Sequence, residues 1–248
     1  MGELTGRVAI VTGASKGIGA AIAKALAREG AAVAVNYASS RPDADRVVGE
    51  IVGAGGKATA IQADVSQRAD VKRLFAETEA KLGRPSILVN NAGVFAFAPL
   101  DAVTDEDFHR QFNINVLGTI LAAQEAARVF DGSGGSVINF STIASVNPVP
   151  NSVVYAASKG AIDTITRALA IELAGKKIRV NAIAPGMTDT EGVAAIGLNF
   201  ETAKAMGAVL PMGRFGQPDD IARVAVFLAS DRSAWLTGER ITASGGQL

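Results

Sequence analysis

Short runs of apolar and β-branched residues alternate with helical patterns along most of this chain of 248 residues. The first cycle consists of the strand Val8-Ala9-Ile10-Val11, a helix over residues 18–28 and a second strand, Ala32-Val33-Ala34-Val35. A strand that is joined to the next through a helix favours parallel pairing with right-handed crossovers. The alternation therefore predicts an α/β fold, a Rossmann-like doubly wound parallel sheet of about seven strands with helices on both faces.

The same alternation continues to the end of the chain. Further helices are predicted near residues 43–52, 70–81, 105–130, 152–174 and 219–230, and further strands near 57–62, 87–89, 136–140, 178–183 and 240–242. The pattern loosens between Pro185 and Pro218, where a short helical piece near 200–209 is expected. Because ligands bind beyond the carboxyl ends of parallel strands, this stretch predicts a substrate lid at about 187–212 within a single domain over 1–248.

Composition excludes several classes of function. Lys plus Arg and Asp plus Glu number 24 each, so the net charge predicts no nucleic-acid or membrane partner. The chain has no cysteine and one histidine, which predicts neither disulfides nor a protein-built metal site. The first residues lead directly into a strand without a signal-peptide pattern, so a cytoplasmic protein is expected.

A glycine-rich segment, Thr12-Gly13-Ala14-Ser15-Lys16-Gly17-Ile18-Gly19, joins the first strand to the first helix. Glycine allows a tight turn and a close approach of the backbone, and a helix N-terminus offers free amide groups and a positive dipole end to a diphosphate. Between a strand and a helix the segment predicts a dinucleotide site. The alternative is a glycine-rich turn that binds no ligand.

Tyr155 precedes Lys159 by four residues within a predicted helix. Residues four apart on a helix project from one face, so the ammonium can lie near the phenol and favour its ionised form. A phenol whose pKa is lowered from about 10 can exchange a proton at working pH. Together with the glycine-rich turn, the pair predicts a redox site, although a Tyr-x-x-x-Lys pair by itself is also common on ordinary surface helices.

Several ordered motifs together resemble the short-chain dehydrogenase/reductase family. They are the Thr-Gly-x-x-x-Gly-x-Gly turn, Asp64-Val65, Asn90-Asn91-Ala92-Gly93, Asn115, the Tyr155/Lys159 pair and Pro185-Gly186. The chain is similar over nearly its whole length to classical members such as 3-oxoacyl reductases and glucose dehydrogenases. The resemblance implies hydride transfer between a nicotinamide dinucleotide and the carbon of an alcohol or carbonyl.

The resemblance also implies which residues bind the dinucleotide. The glycine turn would contact the pyrophosphate, Asp64 and Val65 the adenine, residues 91–93 the ribose side, and residues 185–190 the nicotinamide. The implied set is Gly13, Ser15, Lys16, Gly17, Ile18, Gly19, Asp64, Val65, Asn91, Ala92, Gly93, Pro185, Gly186, Thr188 and Thr190. Asn91 can instead brace adjacent strands, and Gly93 can serve only its turn.

The choice between NADP(H) and NAD(H) depends on charge at the end of the second strand. An acid there would bind the ribose hydroxyls of NAD and repel a 2′-phosphate, but Val35-Asn36-Tyr37-Ala38-Ser39-Ser40-Arg41 contains no carboxylate. Lys16, Ser39 or Ser40, and Arg41 could instead surround the phosphate, as a basic residue at the Lys16 position does in similar proteins. We expect NADP(H), with NAD(H) possible, while Arg41 can equally be a solvated surface charge.

The family resemblance implies four catalytic residues. Tyr155 would handle the proton of the substrate oxygen, Lys159 would lower the phenol pKa and bind the nicotinamide ribose, and Asn115 would hold a water in a proton relay. The family's serine falls at Thr142, whereas Ser141 comes one residue earlier. Since successive strand residues point to opposite faces, we expect Thr142 rather than Ser141 to polarise the substrate carbonyl.

The predicted substrate pocket is mostly apolar and suits a ketone or secondary alcohol of small or medium size. Residues 94–100 can form its wall or only a core edge. The candidates are Phe95, Phe97, Ile143, Ser145, Asn147, Val149, Pro150 and lid residues 187–206.

Two alanine-rich helices carry apolar stripes, and similar proteins pair these helices across subunits, so a homotetramer is expected. The stripe residues are Ala122, Ala123, Ala126, Ala161, Ile165 and Leu169. Three alternatives to a carbonyl reductase stay open: a nucleotide-binding protein with weak catalysis, a 3-oxoacyl-carrier-protein reductase, and a lyase or epimerase that uses bound cofactor.

Overall fold

The computed structural model describes residues 2–130, 132, 134–195, 197–205 and 210–247, apart from the side chain of residue 200. The strands within them are β1 Val8–Val11, β2 Ala32–Tyr37, β3 Lys57–Gln62, β4 Ile87–Asn90, β5 Gly135–Phe140, β6 Ile178–Pro185 and β7 Arg240–Ala243. They form one parallel sheet in the order β3-β2-β1-β4-β5-β6-β7. The predicted fold class is confirmed.

Helices connect successive strands. In chain order they are α1 Gly17–Arg28, α2 Arg41–Gly53, α3 Arg68–Leu82, α4 Asp105–Phe112, α5 Gly118–Val129, α6 Val153–Leu173, α7 Glu191–Ala194, α8 Phe200–Ala205 and α9 Pro218–Ala229. The ends of the predicted helices fall within a few residues of these bounds. The short helix α7 was not predicted, because four residues are too few to show a helical period.

Helices cover both faces of the sheet. One apolar core lies between the sheet and α1, α2 and α9, where Leu26 and Leu228 are fully buried. A second core lies under α3, α5 and α6, where Phe75 is fully buried. Neighbouring strand residues contribute to opposite cores, as Ile10 and Val11 do on β1. Because both faces are covered, the strands are continuous apolar runs rather than alternating ones.

The site lies where the strand order reverses. β1 pairs with β2 on one side and with β4 on the other, so the loops that leave their carboxyl ends diverge and open a crevice. The glycine-rich turn, Asp64 and the segment after β4 all lie at this edge. The topology therefore brings together motifs that are far apart in the chain.

The predicted helix over 105–130 is interrupted. Residues Asn113–Leu117 form a π-helical turn between α4 and α5. Such a turn adds a residue to the helical ladder and is frequent at functional sites. It could not be predicted from the apolar period, which continues through it.

The predicted lid over 187–212 follows β6. The described part contains α7 and α8, and a bridge between Thr188 and Gly216 closes its base. Residues 196 and 206–209, which belong to the predicted lid, lie outside the described residues. Within the part of the chain that the structure describes, no helix combines the length and apolar character needed to cross a lipid bilayer.

Half of the predicted interface stripe is wrong. Ala122 and Ala126 are buried in the chain's own core under the sheet, and Ala123 is buried as well, so the three side chains are not exposed to another subunit. Ala161, Ile165 and Leu169 on α6 are only half-buried. Sheet packing alone explains the alanines, because an open sheet buries a wide face of the helices above it.

Candidate active site

The glycine-rich turn brings its backbone close to the segment after β4. Gly13 has a φ of 60°, and a Cβ atom there would lie 2.9 Å from the Cα atom of Ala92. A Cβ atom at Gly19 would collide with the Asn91 side chain. Gly17, at the first position of α1, has a φ of 56°. These close approaches and positive φ values explain the three glycines.

The N-terminus of α1 fits a diphosphate. Among the described residues no side chain caps this end, and the first turn contains no acid. The first amide groups of a helix have no partners within it, and its dipole favours negative charge there. The turn can therefore bind a dinucleotide phosphate through its backbone, with Ser15 and Ile18 on either side of Gly17.

Two asparagines brace this turn. The Nδ2 of Asn91 donates to the carbonyl oxygens of Thr12 and Gly13, at 2.9 Å each. Asn36, fully buried at the end of β2, accepts from the Gly13 amide at 3.1 Å. The hydroxyl of Thr12 accepts from the Ala92 amide at 3.0 Å. The side chain of Asn91 thus has the bracing role that its sequence left open.

Near the carboxyl end of β2, the site contains more charged side chains than the sequence analysis considered. Arg41 forms an exposed ion pair with Asp45 at 3.3 Å, and its role at a 2′-phosphate stays a prediction. Ser40 donates to Asp43 at 2.6 Å, and this bond is the first cause of a lowered Asp43 pKa. The charges of Arg46 and Lys16 lower that pKa further. Lys16 and Arg46 also line one groove together.

Asp64 is partly engaged in its own turn. Its Oδ1 accepts from the amide and the hydroxyl of Ser66, at 2.9 and 2.7 Å. Val65 is buried against the start of α5, where a Cβ atom at Gly118 would lie 2.8 Å from its Cγ2. The pair therefore fixes the loop after β3 to the neighbouring helix.

The segment after β6 reaches back to the glycine turn. Thr190 caps α7 by accepting from the Val193 amide at 3.3 Å. A Cβ atom at Gly17 would lie 3.6 Å from the Cγ2 of Thr190, so the lid and the turn are in contact range. Thr188 is buried and donates to the carbonyl oxygen of Gly186 at 3.0 Å. The lid therefore begins beside the cleft that would hold the dinucleotide.

Gln247, near the end of the chain, holds the start of the lid. Its Oε1 accepts from the Met187 amide at 2.9 Å, and a Cβ atom at Gly186 would lie 2.8 Å from the same oxygen. Gly186 therefore allows the C-terminal segment to approach Pro185 and the nicotinamide end of the cleft.

Asn115 lies in the π-helical turn and is buried. Its side chain accepts from the Val94 amide at 2.8 Å and donates to the Val94 carbonyl at 2.9 Å and the Ser158 hydroxyl at 3.0 Å. A Cβ atom at Gly93 would lie 3.3 Å from the Asn115 side chain and 3.4 Å from the Lys159 ammonium. Asn115 therefore joins the loop after β4 to helix α6, which contains Tyr155 and Lys159.

Thr142 and Ser141 both line the cleft but make different contacts. Thr142 has extended backbone and its side chain hydrogen-bonds that of Tyr155. Ser141 is buried and its nearest hydrogen-bond acceptor is the carbonyl oxygen of Lys159, at 3.5 Å. Thr142 follows the end of β5 by two residues, and its contact with Tyr155 places the threonine hydroxyl beside the phenol.

The Tyr155 phenol is harder to ionise than the sequence suggested. Burial raises the pKa of Tyr155, and the hydrogen bond with Thr142 lowers it in part. The net direction is opposite to the lowered pKa expected from the Tyr155/Lys159 spacing, and the lowering of the phenol pKa by Lys159 stays a prediction. The neutral phenol is the form that can donate a proton.

Lys159 is buried and donates to the carbonyl oxygen of Phe140 at 2.8 Å. Burial lowers the pKa of Lys159 to about 8, against the charge of Asp163, which raises it. The ammonium is therefore poised near neutral pH between the cleft and the strand behind it.

These groups face a cleft of about 350 Å³. The rings of Phe95 and Phe97 are 5.8 Å apart, and each stands edge-on to the Tyr155 ring at 6.0 and 5.9 Å between centroids. The cleft is also lined by Ile18, Asn91, Gly93, Val94, Phe140, Ser141, Thr142, Ile143, Ala144, Asn147, Val149, Lys159, Pro185, Gly186, Met187, Thr188, Thr190, Val193 and Leu198. The substrate side and the dinucleotide side therefore form one continuous space.

Ser145 was predicted to line the pocket and does not. A 3-10 turn over Ile143–Ser145 ends the strand alternation, and the Ser145 hydroxyl donates to Asp163 at 2.6 Å. Pro150 is also absent from the cleft lining among the described residues. The turn could not be read from the sequence, since its residues are also compatible with a continuing strand.

Several polar residues of the site were missed. Asp163, four residues after Lys159, extends the row of Tyr155 and Lys159 along α6, and this spacing could have identified it. Arg240 on β7 contacts Asp163 and has no signal in the sequence, because the two are distant in the chain. Asp43 and Arg46 lie in α2, beyond the strand end that was considered.

Comparisons with known proteins agree with this geometry. A family model described as enoyl-(acyl carrier protein) reductase matches residues 13–247. An uncharacterized oxidoreductase of Methylorubrum extorquens is 53% identical over 99% of both chains. Versicolorin reductase 1 of Aspergillus parasiticus is 43% identical over 98% of this chain and 97% of its own length.

A solved structure of the angucycline C-6 ketoreductase LanV with bound NADP has a TM-score of 0.92. It is 38% identical and covers 100% of this chain and 97% of that one. The chain belongs to the short-chain dehydrogenase/reductase family of oxidoreductases.

Proposed function

We propose that this protein is an NADP(H)-dependent carbonyl reductase that acts on a ketone or secondary alcohol of small or medium size. The observation that supports this most strongly is the convergence of Tyr155, Thr142 and Lys159 on one apolar cleft that continues to the N-terminus of α1. A proton donor and a reducing dinucleotide must meet the same carbonyl for this reaction. The shared cleft supports the proposal because it is open to both the proton donor and the turn before α1.

Each catalytic side chain has a separate task in this proposal. When bound, the dinucleotide supplies hydride to the carbonyl carbon. Tyr155 donates its proton to the carbonyl oxygen, and Thr142 donates a hydrogen bond that polarises this oxygen. Lys159 holds a positive charge behind the phenol, and Asn115 fixes the loop beside both and, by family resemblance, holds a water of the proton relay. Burial raises the pKa of Tyr155 and so favours the neutral phenol, which is the form that donates a proton to a carbonyl oxygen.

The preference for NADP(H) is supported by charge at the second strand end. Lys16 lies near the first turn of α2, where Ser39, Ser40 and Arg41 precede Asp43. A lysine in the glycine turn can form a charge-assisted hydrogen bond with a 2′-phosphate. LanV, which is described with bound NADP, supports the same choice, and NAD(H) is the alternative.

The shape and composition of the cleft favour a substrate with a ring. Two phenylalanine rings and the Tyr155 ring surround the space next to the proton donor. Aromatic side chains prefer edge-to-face or offset contacts with a further ring. We therefore place a carbonyl on or beside an apolar ring system between Phe95 and Phe97, with Asn147 as a polar contact at the wall.

We also propose a single catalytic domain, a homotetramer and a cytoplasmic location. Assembly is supported by two large apolar side chains, Ile171 and Trp235, which are 81% and 99% exposed. Sedimentation velocity tests this part: a species of four chains is expected, and a monomer at micromolar concentration would contradict it. The location follows from the use of a dissolved dinucleotide.

A substrate panel tests the proposed reaction. Oxidation of NADPH and of NADH is followed by absorbance with an aryl ketone, an alkyl ketone, a 3-oxoacyl carrier protein and an enoyl thioester. Turnover of the aryl ketone with NADPH is expected to exceed the others. Reduction of only the carrier-bound substrate or only the enoyl bond would overturn the proposal in favour of those activities. Dinucleotide binding without turnover of any carbonyl would indicate a nucleotide-binding protein.

A further inference from the structure

Asp163 continues the row of active-site side chains along α6. It follows Lys159 by four residues and Tyr155 by eight, so all three project from one side of the helix. Its side chain is buried, with 8% of its surface exposed. A buried carboxylate is costly unless it is paired and hydrogen-bonded. The contacts of Asp163 therefore need a specific explanation.

These contacts lead to the loop that contains Thr142. The Oδ2 of Asp163 accepts from the Ser145 hydroxyl at 2.6 Å and lies 3.2 Å from the Nε of Arg240. The Nη2 of Arg240 donates to the Thr142 carbonyl oxygen at 2.8 Å and to the Ser145 hydroxyl at 3.2 Å. Asp163 and Arg240 thus link α6 and β7 to both ends of the turn that begins at Thr142.

The remaining oxygen of Asp163 and the Nη1 atom of Arg240 have different surroundings. The Nη1 of Arg240 donates to the Thr242 hydroxyl on β7 at 2.8 Å. The Oδ1 of Asp163 is buried and has no hydrogen-bond partner within the described ranges. Asp163 forms an ion pair with Arg240 and also lies one helical turn from Lys159, so its charge acts on the ammonium as well.

We propose that Asp163 and Arg240 are positioning residues that hold Thr142 against Tyr155, and that the Asp163 charge keeps Lys159 in its ammonium form. Arg240 fixes the backbone of Thr142 through its carbonyl oxygen, and Asp163 fixes Arg240 and Ser145. This assignment rests on the proposed carbonyl reduction. It adds two residues, one of them far along the chain, to the machinery of that reaction.

Few charged groups lie near Lys159 among the described residues. Tyr155 and Asp163 face it from its own helix, and Arg240 stands behind Asp163 on β7. Residues 91–94, 113–117 and 135–145, which surround it from other elements, contain no titratable side chain. The charge of Asp163 raises the pKa of Lys159, whereas burial lowers it to about 8. Removal of the carboxylate charge must then move the Lys159 pKa further down.

The pH profile of kcat for carbonyl reduction tests the electrostatic role. Asp163→Asn keeps the size of the side chain and removes its charge, and its alkaline limb is expected to move to lower pH by about one unit. Glu172→Gln, an exposed carboxylate on the same helix, is the matched control and is expected to keep the parental profile. A side chain with only a structural role would not move this limb.

A second pair of variants tests the tether to Thr142. Arg240→Met removes the hydrogen bond to the Thr142 carbonyl and is expected to lower kcat about tenfold, with KM and dinucleotide affinity little changed. Arg240→Lys is expected to restore part of the rate. Arg167→Gln, an exposed arginine on α6, serves as the control. Parental kcat in folded Arg240→Met would overturn the positioning role.

The double variant Asp163→Asn/Arg240→Met guards against misfolding, because it leaves neither charge alone in the interior. If Asp163→Asn does not assemble, the double variant must show the displaced alkaline limb, and a parental limb in either folded variant overturns the proposal.

The variant Tyr155→Phe distinguishes a failure of this inference from a failure of the proposed function. If it is inactive while folded Asp163→Asn behaves as the parent, carbonyl reduction stands and this inference fails. If Tyr155→Phe is fully active, the proposed function itself fails.

Discussion

The ammonium of Lys159 donates a hydrogen bond of 2.8 Å to the carbonyl oxygen of Phe140, the last residue of β5. This bond ties the catalytic helix to the strand that ends two residues before Thr142. Since the lysine is buried, its charged form is disfavoured, and the pKa falls from 10.5 to about 8. Burial of the Lys159 charge therefore lowers the stability of the fold, while it places the ammonium at the cleft.

Lys159→Met should stabilise the protein without dinucleotide while abolishing turnover. The folded-state pKa of Lys159 lies below the unfolded value, so the unfolded chain binds more protons between pH 8 and 10.5. The cost of the buried charge is fully present below pH 8 and is relieved as the pH rises through this window. Urea unfolding at pH 7 should give the variant an advantage on the order of 1–3 kcal/mol, which shrinks towards pH 10.5. A variant that is less stable at pH 7 would contradict the direction.

Thr142→Ala should lower kcat/KM about 100-fold, because a polarising hydroxyl beside the phenol is lost. Thr142→Ser should recover most of the rate, since it retains the hydroxyl. Ser141→Ala is the matched control and should stay within about threefold of the parent, because its hydroxyl faces the Lys159 carbonyl. Steady-state kinetics with a ketone and NADPH give kcat/KM for the three variants. Full activity of Thr142→Ala with a dead Ser141→Ala would reverse the assignment.

Lys16→Ala should raise the KM for NADPH about tenfold and leave the KM for NADH nearly unchanged, because only NADPH has a phosphate at this end. Asp43→Asn should act in the opposite direction, since the charges of Asp43 and Lys16 interact. Lys72→Ala, an exposed lysine on α3, should change neither constant. Equal losses with both dinucleotides would place Lys16 at the pyrophosphate instead.

Phe97→Ala should raise the KM for an aryl ketone about tenfold and change the KM for an alkyl ketone much less, because a ring contact is lost. Phe108→Ala is the control, since Phe108 stacks on Phe112 at 4.4 Å and does not line the described cleft. Both variants are compared at saturating NADPH. An equal rise in KM for both ketones would mean that the Phe97 ring does not distinguish an aryl from an alkyl ketone.

Much of this architecture was predictable because it is local. The strand and helix patterns depend on the apolar period, and the glycine turn depends on backbone geometry at Gly13 and Gly17. The position of Thr142, two residues after the end of β5, is local as well. Tyr155 and Lys159 share a helix face through their spacing. Each of these relationships is contained in fewer than about ten residues of chain.

The features that could not be predicted depend on contacts between residues that are far apart in the sequence. Arg240 meets Asp163 across 77 residues, and Gln247 meets Met187 across 60, as counted from their numbers. No local pattern indicates which strand a C-terminal arginine will face. Burial, which raises the Tyr155 pKa, is also a property of the assembled cleft, so spacing alone suggested the opposite direction. The alanines of α5 were misassigned because both faces of the sheet are covered.

The proposed carbonyl reduction depends on proton donation by the Tyr155 phenol. The most direct measurement is single-turnover oxidation of bound NADPH by Tyr155→Phe in the presence of a ketone that the parent reduces. The variant should bind NADPH with parental affinity, measured by nucleotide fluorescence, and react at least about 1,000-fold more slowly, because the ring and its packing remain while the proton donor is absent. A variant that binds the dinucleotide normally and reduces the ketone at the parental rate would contradict the account.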